Sequence, residues 1–100
     1  MSPVLTAPEE VIVVRLTHEV LTEQSLQPIW RCLEEPGTHV VHLDLGSIRL
    51  PTAEGLGALV VLNRELRARG GGLLLFNLPA ATHEVLTVTH LIEVLDVRTE

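Results

Sequence analysis

Three stretches decide the fold: Val40-Val41-His42-Leu43-Asp44-Leu45, the long run from Gly55 to Arg69, and Leu73-Leu74-Leu75-Phe76-Asn77. The first and third are short, mostly apolar and bounded by polar or glycine-rich segments. That reads as two strands, apolar enough to lie in the middle of a sheet rather than at its rim. Between them Leu59, Leu62 and Leu66 recur at three- and four-residue spacing, which predicts one helical face turned to the sheet. Gly70-Gly71-Gly72 closes this helix, and Arg64, Arg67 and Arg69 gather toward its C-terminal end, where the backbone dipole favours cations. A strand, a helix and a strand in that order form a crossover unit with parallel strands.

The flanking sequence extends the pattern. Upstream, Val11-Ile12-Val13-Val14-Arg15-Leu16 is rich in β-branched residues and reads as a strand entered from Pro8-Glu9-Glu10. A short strand at Val4–Ala7 is a candidate neighbour for it. Thr17–Gln27 is polar, with Val20, Leu21 and Leu26 interspersed. A helix then carries Ile29, Trp30, Cys32 and Leu33 and stops at Pro36-Gly37. It starts either at Pro28, an acceptable first-turn residue, or near Thr22 with Pro28 as a kink. Downstream, Asn77-Leu78-Pro79 turns into a helix from Ala80 to about Thr89. Leu91–Val97 is ambiguous, with room for a short helix end and a final strand. The expectation is a single α/β domain over residues 1–100, with a mixed, mostly parallel sheet and helices chiefly on one face.

Composition removes whole classes of function. The 100 residues carry 7 Lys plus Arg against 13 Asp plus Glu, a formal charge of −6 that repels phosphate backbones. Trp30 and Phe76 are the whole aromatic complement, too few to stack on bases, so direct nucleic-acid binding is not expected. The 46% hydrophobic content supplies a core and argues against disorder. No apolar run reaches the ~18–20 residues a membrane span needs, and no basic-then-apolar leader opens the chain. The lone Cys32 forms no internal bridge, which fits a reducing, cytoplasmic setting, and is expected to be buried on its helix.

Catalytic and metal sites are not supported either. His83-Glu84 begins like a zinc-protease helix, but Thr87 stands where the second histidine is needed. His18, His39, His42 and His90 are scattered. Gly55-Leu56-Gly57 is a fragment of a phosphate loop without the further Gly and the Lys-Ser/Thr, so a nucleotide or small-ligand binder is the least supported class. Ser47 lacks a nucleophile elbow. No metal and no cofactor is expected, and no enzyme activity.

The segment Gly46-Ser47-Ile48-Arg49-Leu50-Pro51-Thr52-Ala53-Glu54-Gly55-Leu56-Gly57 carries a family likeness. A strand ending in Leu43-Asp44-Leu45, then Thr52-Ala53-Glu54-Gly55-Leu56-Gly57 at a helix start, then Arg64–Gly71 and Leu73–Pro79, resembles the STAS domains of bacterial anti-sigma factor antagonists. The likeness runs over nearly the whole chain and is strongest from Asp44 to Leu78. It implies a regulatory protein–protein interaction module in bacterial signalling and transcription. The implied partner is a kinase-type anti-sigma factor, or other STAS-type subunits if the chain self-associates in a larger sensory assembly. It also implies a switch by phosphorylation at the first serine of an Asp-Ser-Ser/Thr-Gly-Leu-Gly motif.

Here that motif departs from the family. Ala53 has no hydroxyl to phosphorylate, Thr52 stands in place of the aspartate, and Glu54 in place of the second hydroxyl residue. Thr52 then reads as a helix N-cap with Glu54 in the first turn, or as a displaced phosphorylation site, with Glu54 alternatively imitating a phosphate. Leu56 and Val60 fall to one side of the Leu59/Leu62/Leu66 arc, beside Arg64 and Arg67. They are either the edge of a wide core arc or an exposed partner-binding rim. The candidate contact set is Arg49, Thr52, Ala53, Glu54, Gly55, Leu56 and Val60.

Overall fold

The structure, a computed structural model, describes residues 10–34 and 39–98. The expected strand at Val4–Ala7 and the expected stop at Pro36-Gly37 lie outside the described residues. Along the chain run β1 (Glu10–Arg15), β2 (Val20–Leu21), a 3-10 turn (Glu23–Leu26), α1 (Gln27–Cys32), β3 (His39–Asp44), β4 (Leu50–Pro51), α2 (Ala53–Ala68), β5 (Gly72–Phe76), α3 (Ala80–Val88), a second 3-10 turn (Leu91–Glu93) and β6 (Asp96–Val97). The region 17–27 thus holds a two-residue strand and a tight turn, with the α-helix beginning just ahead of Pro28. Leu91–Val97 holds both a turn of helix and a strand.

The main sheet has the order β1-β3-β5-β6, and β2 and β4 form a separate two-stranded ribbon. Every pairing among the described strands is parallel, as strands joined by helical crossovers require. Register sorts the side chains into two faces. Val14 stands beside Leu43, Leu43 beside Leu75, and Leu75 beside Val97. This row, with Val41 and Leu73 one pleat away, is turned toward the helices, and Val41, Leu43, Leu73 and Leu75 are all buried. The alternate residues Val11 and Val13 are 49% and 65% exposed, so the helices lie on one side.

The core is built almost wholly of leucine: Leu56, Leu59, Leu62 and Leu66 from α2, Leu86 from α3, and Leu21, Leu26, Ile29 and Leu33 from the β2–α1 segment. A Schellman motif ends α2: the Gly70 amide donates to the Arg67 carbonyl at 3.0 Å and the Gly71 amide to the Leu66 carbonyl at 2.8 Å. Gly70 takes φ +85°, a left-handed conformation that glycine adopts without penalty. Cys32 is exposed, contrary to the expectation of burial. Ile29 and Leu33, one turn apart, occupy the inward arc of α1, and Cys32 sits at the helix end beside it.

Candidate interaction surface

The path from β3 to α2 is held by polar contacts that fix where α2 begins. Asp44, 7% exposed at the end of β3, has one carboxylate oxygen accepting from the Gly46 amide at 2.8 Å and from the Asn77 side-chain amide at 3.0 Å. Its other oxygen lies 3.5 Å from the Arg15 guanidinium. Burial alone raises this carboxyl's pKa, but the Gly46 and Asn77 hydrogen bonds and the Arg15 charge outweigh it and hold the group below the ordinary aspartate value. Asn77 reaches Asp44 from a left-handed backbone, φ 58°, a conformation asparagine tolerates better than most residues. One acid therefore ties together the C-terminal ends of β1, β3 and β5.

Past Gly46 the chain turns. The Arg49 and Leu50 amides both donate to the Glu19 carbonyl, at 2.7 and 2.9 Å, which seats β4 against β2. Thr52 then caps α2: its hydroxyl accepts from the Gly55 amide at 3.0 Å and donates to the Leu21 carbonyl at 2.6 Å. Both capacities of that hydroxyl are in use. Gly55 is buried directly beneath this cap. A Cβ placed on it would lie 2.6 Å from the Leu21 carbonyl carbon and 2.7 Å from the Leu21 Cγ, so only glycine lets the helix meet β2 this closely. Gly57, one position beyond Leu56, has nothing within 4 Å of such an atom.

Around this cap the expected contact residues separate. Arg49, Ala53 and Glu54 are exposed, and Thr52 is half-buried. Gly55 and Leu56 are buried, Leu56 at 4% exposure within the leucine core, so neither presents a side chain to a partner. Val60 is half-buried against that core. The expected Leu56/Val60 rim is thus the edge of a wide core arc. Its cause is a neighbour that helical periodicity does not reveal: the 3-10 turn Glu23–Leu26 and β2 pack against the flank of α2. The exposed large apolar side chain of α2 is instead Val61, at 55%.

Two exposed apolar residues that sequence reasoning missed lie near this cap. Val20 and Leu50 are register partners in the β2–β4 ribbon, 42% and 57% exposed, beside the start of α2. Strands of two residues carry no periodic signal, so nothing in the sequence marked them. Elsewhere, Trp30 packs against the core, and no group of three His, Cys, Asp or Glu among the described residues is arranged to hold a metal ion. No helix of the described residues is long and apolar enough to cross a membrane.

Comparison with known proteins follows the same lines. The STAS domain family profile matches residues 2–100. Among solved structures, the NMR structure of the protein TM1081 superposes with a TM-score of 0.73 at 16% identity, covering 93% of this chain and 77% of that one. An anti-sigma-factor antagonist (STAS) domain protein from Planctomyces limnophilus superposes with a TM-score of 0.69 at 20% identity, covering 93% of this chain and 88% of that one. At these identities the two structures speak to the fold. No curated protein matches the chain.

Proposed function

The chain belongs to the STAS domain family, and from that premise we propose that it is a non-enzymatic, cytoplasmic protein–protein interaction module of the anti-sigma-factor-antagonist type in bacterial signalling, without the phosphorylation switch at position 53. Its partner is a kinase-type anti-sigma factor. The contact surface comprises Arg49, Ala53 and Glu54 with Val20 and Leu50, while Thr52 and Gly55 hold it in place from beneath.

The observation that carries this reading is the cap. An exposed apolar pair stands beside an exposed helix start, where a regulatory phosphate would meet free amides and the positive end of the dipole. Ala53 offers no acceptor there. Thr52 offers a hydroxyl already committed to Leu21 and Gly55, so a phosphate on it costs the cap and the tie to β2. Glu54 leaves a fixed negative charge in the first turn of α2. Binding through this surface is therefore constitutive.

The test is titration calorimetry against a purified kinase-type anti-sigma factor from the same organism, with and without ATP, followed by intact-protein mass spectrometry. Binding that ATP does not release, that Leu50→Arg weakens at least tenfold, and that leaves no phosphate on the chain is the expected result. Phosphate on Thr52, or the absence of binding to every such kinase the organism encodes, overturns the proposal. A Leu50→Arg domain with an unchanged melting temperature separates lost contact from lost folding.

A further inference from the structure

Among the described residues nothing packs on the outward face of α2, and its residues fall into a register that fits a second copy of the same helix. Glu54, Gly57, Val61, Arg64 and Ala68 are all exposed and are spaced three, four, three and four apart. This is the a/d spacing of a two-helix seam, here on the side of α2 turned away from its own core. When two such helices run antiparallel about a two-fold axis, each a position faces a d position of the other chain. The sequence fills those layers in complementary pairs. Val61 falls opposite Gly57, which has open space where a side chain would be. Glu54 falls opposite Arg64. The two-fold axis repeats each pair, giving two apolar layers flanked by two ion pairs.

The charges make the case for a like partner. Among the described residues, neither Glu54 nor Arg64 takes part in a salt bridge, whereas the neighbouring Glu65 is paired with Arg69 at 2.8 Å, and Arg67 with Asp96 at 3.2 Å. The protein also carries a net charge of −6, which opposes self-association unless opposite charges meet locally. A lone Val61 on an otherwise polar face would need no explanation. Its position within a self-complementary set of charges and a glycine notch does.

We propose that the chain self-associates as an antiparallel, two-fold dimer through α2, with Val61 of each protomer seated over Gly57 of the other and Glu54–Arg64 ion pairs closing both ends. One helix face is a small interface, so the dimer is weak, reversible and salt-sensitive. The seam shares Glu54 with the partner surface proposed above, and its test, which needs only the purified chain, reads self-association apart from partner binding.

Sedimentation equilibrium of the full chain over a series from ~10 µM to ~1 mM is expected to rise toward twice the protomer mass. Glu54→Arg and Arg64→Glu each place like charges face to face and are expected to shift the association at least tenfold to higher concentration. The double variant Glu54→Arg/Arg64→Glu restores opposite charges and is expected to recover the association. All substitutions are at exposed positions, and circular dichroism confirms that the variants are folded. A strictly monomeric wild type, an association that neither single swap weakens, or a double swap that fails to recover it overturns the proposal.

Discussion

Gly55 and Gly57 lie two residues apart in the same helix, and replacing each by alanine separates a steric effect from a propensity effect. Alanine is favoured over glycine in a helix interior by about 1 kcal/mol, so on propensity alone both variants gain. At Gly57 nothing opposes the gain, because no atom lies within 4 Å of the added Cβ. Gly57→Ala is expected to stabilise the domain by about 1 kcal/mol. At Gly55 the new atom meets the Leu21 carbonyl carbon at 2.6 Å and the Leu21 Cγ at 2.7 Å, where ordinary carbon contacts need about 3.5 Å or more. Relief requires the start of α2 and β2 to part by about 1 Å. The obstacle is backbone, which cannot swing aside as a side-chain tip would. Overpacking of this kind costs about 3 kcal/mol, and stretching the Thr52–Leu21 hydrogen bond costs about 1 more. Net of propensity, Gly55→Ala is expected to destabilise by about 3 kcal/mol, leaving the two variants about 4 kcal/mol apart. Urea unfolding followed by circular dichroism measures both, and the melting temperatures are expected to differ by roughly 15–30 °C. Equal stabilities would refute the close approach of α2 to β2 on which the account of the surface rests.

Three further outcomes follow from single groups. Thr82 is fully buried and its hydroxyl has no hydrogen-bond partner among the described residues; Thr82→Val, which keeps the shape and removes the polar atom, is expected to raise the melting temperature by about 4–8 °C, and a fall would show that the hydroxyl is satisfied. Asp44 has its pKa depressed in the folded state, so its contribution to stability is present above about pH 4 and is lost as pH falls through the folded value. Asp44→Asn is therefore expected to flatten the acid limb of a stability-against-pH curve, and an unchanged limb would remove Asp44 as its source. Thr52→Val keeps the bulk of the cap but loses both hydroxyl bonds, and is expected to cost about 1–2 kcal/mol in urea unfolding; a neutral result would deny Thr52 its capping role.

Much of the architecture is written in periods long enough to read. The apolar runs around residues 11–16, 40–45 and 73–77 form β1, β3 and β5 within a residue or two, and α2 ends where the glycine run sets in. The helix begins at Ala53 rather than Gly55, where periodicity alone puts it, because Thr52 caps it, as one of the two readings of Thr52 expects. The ribbon of β2 and β4 was not legible, since two residues cannot show alternation, and with it went Val20 and Leu50. The sequence leaves Leu56 open between core edge and exposed rim for a related reason. Its angle on the helix is ambiguous until one knows that residues 20–26, thirty positions upstream, cover that flank. The Asp44–Asn77 contact likewise spans 33 residues and leaves no local trace. What the sequence conceals here is long-range neighbourhood, and the proposed contact surface is made of little else.

The bond between Thr52 and the Leu21 carbonyl bridges 31 residues, and it makes the first turn of α2 depend on a distant piece of chain. A helix start capped only by its own neighbours frays and heals by itself. This one cannot be whole until β2 is in place, so any local opening that lifts β2 also loosens the amides of Gly55 and Leu56. Native-state hydrogen exchange at those two amides is accordingly expected to track exchange at Leu50, whose amide is held by Glu19 on the same segment, rather than exchange in the middle of α2. The proposed contact surface, so constructed, exists only in the assembled state. A peptide copied from residues 48–57 would lack the strand that gives it shape.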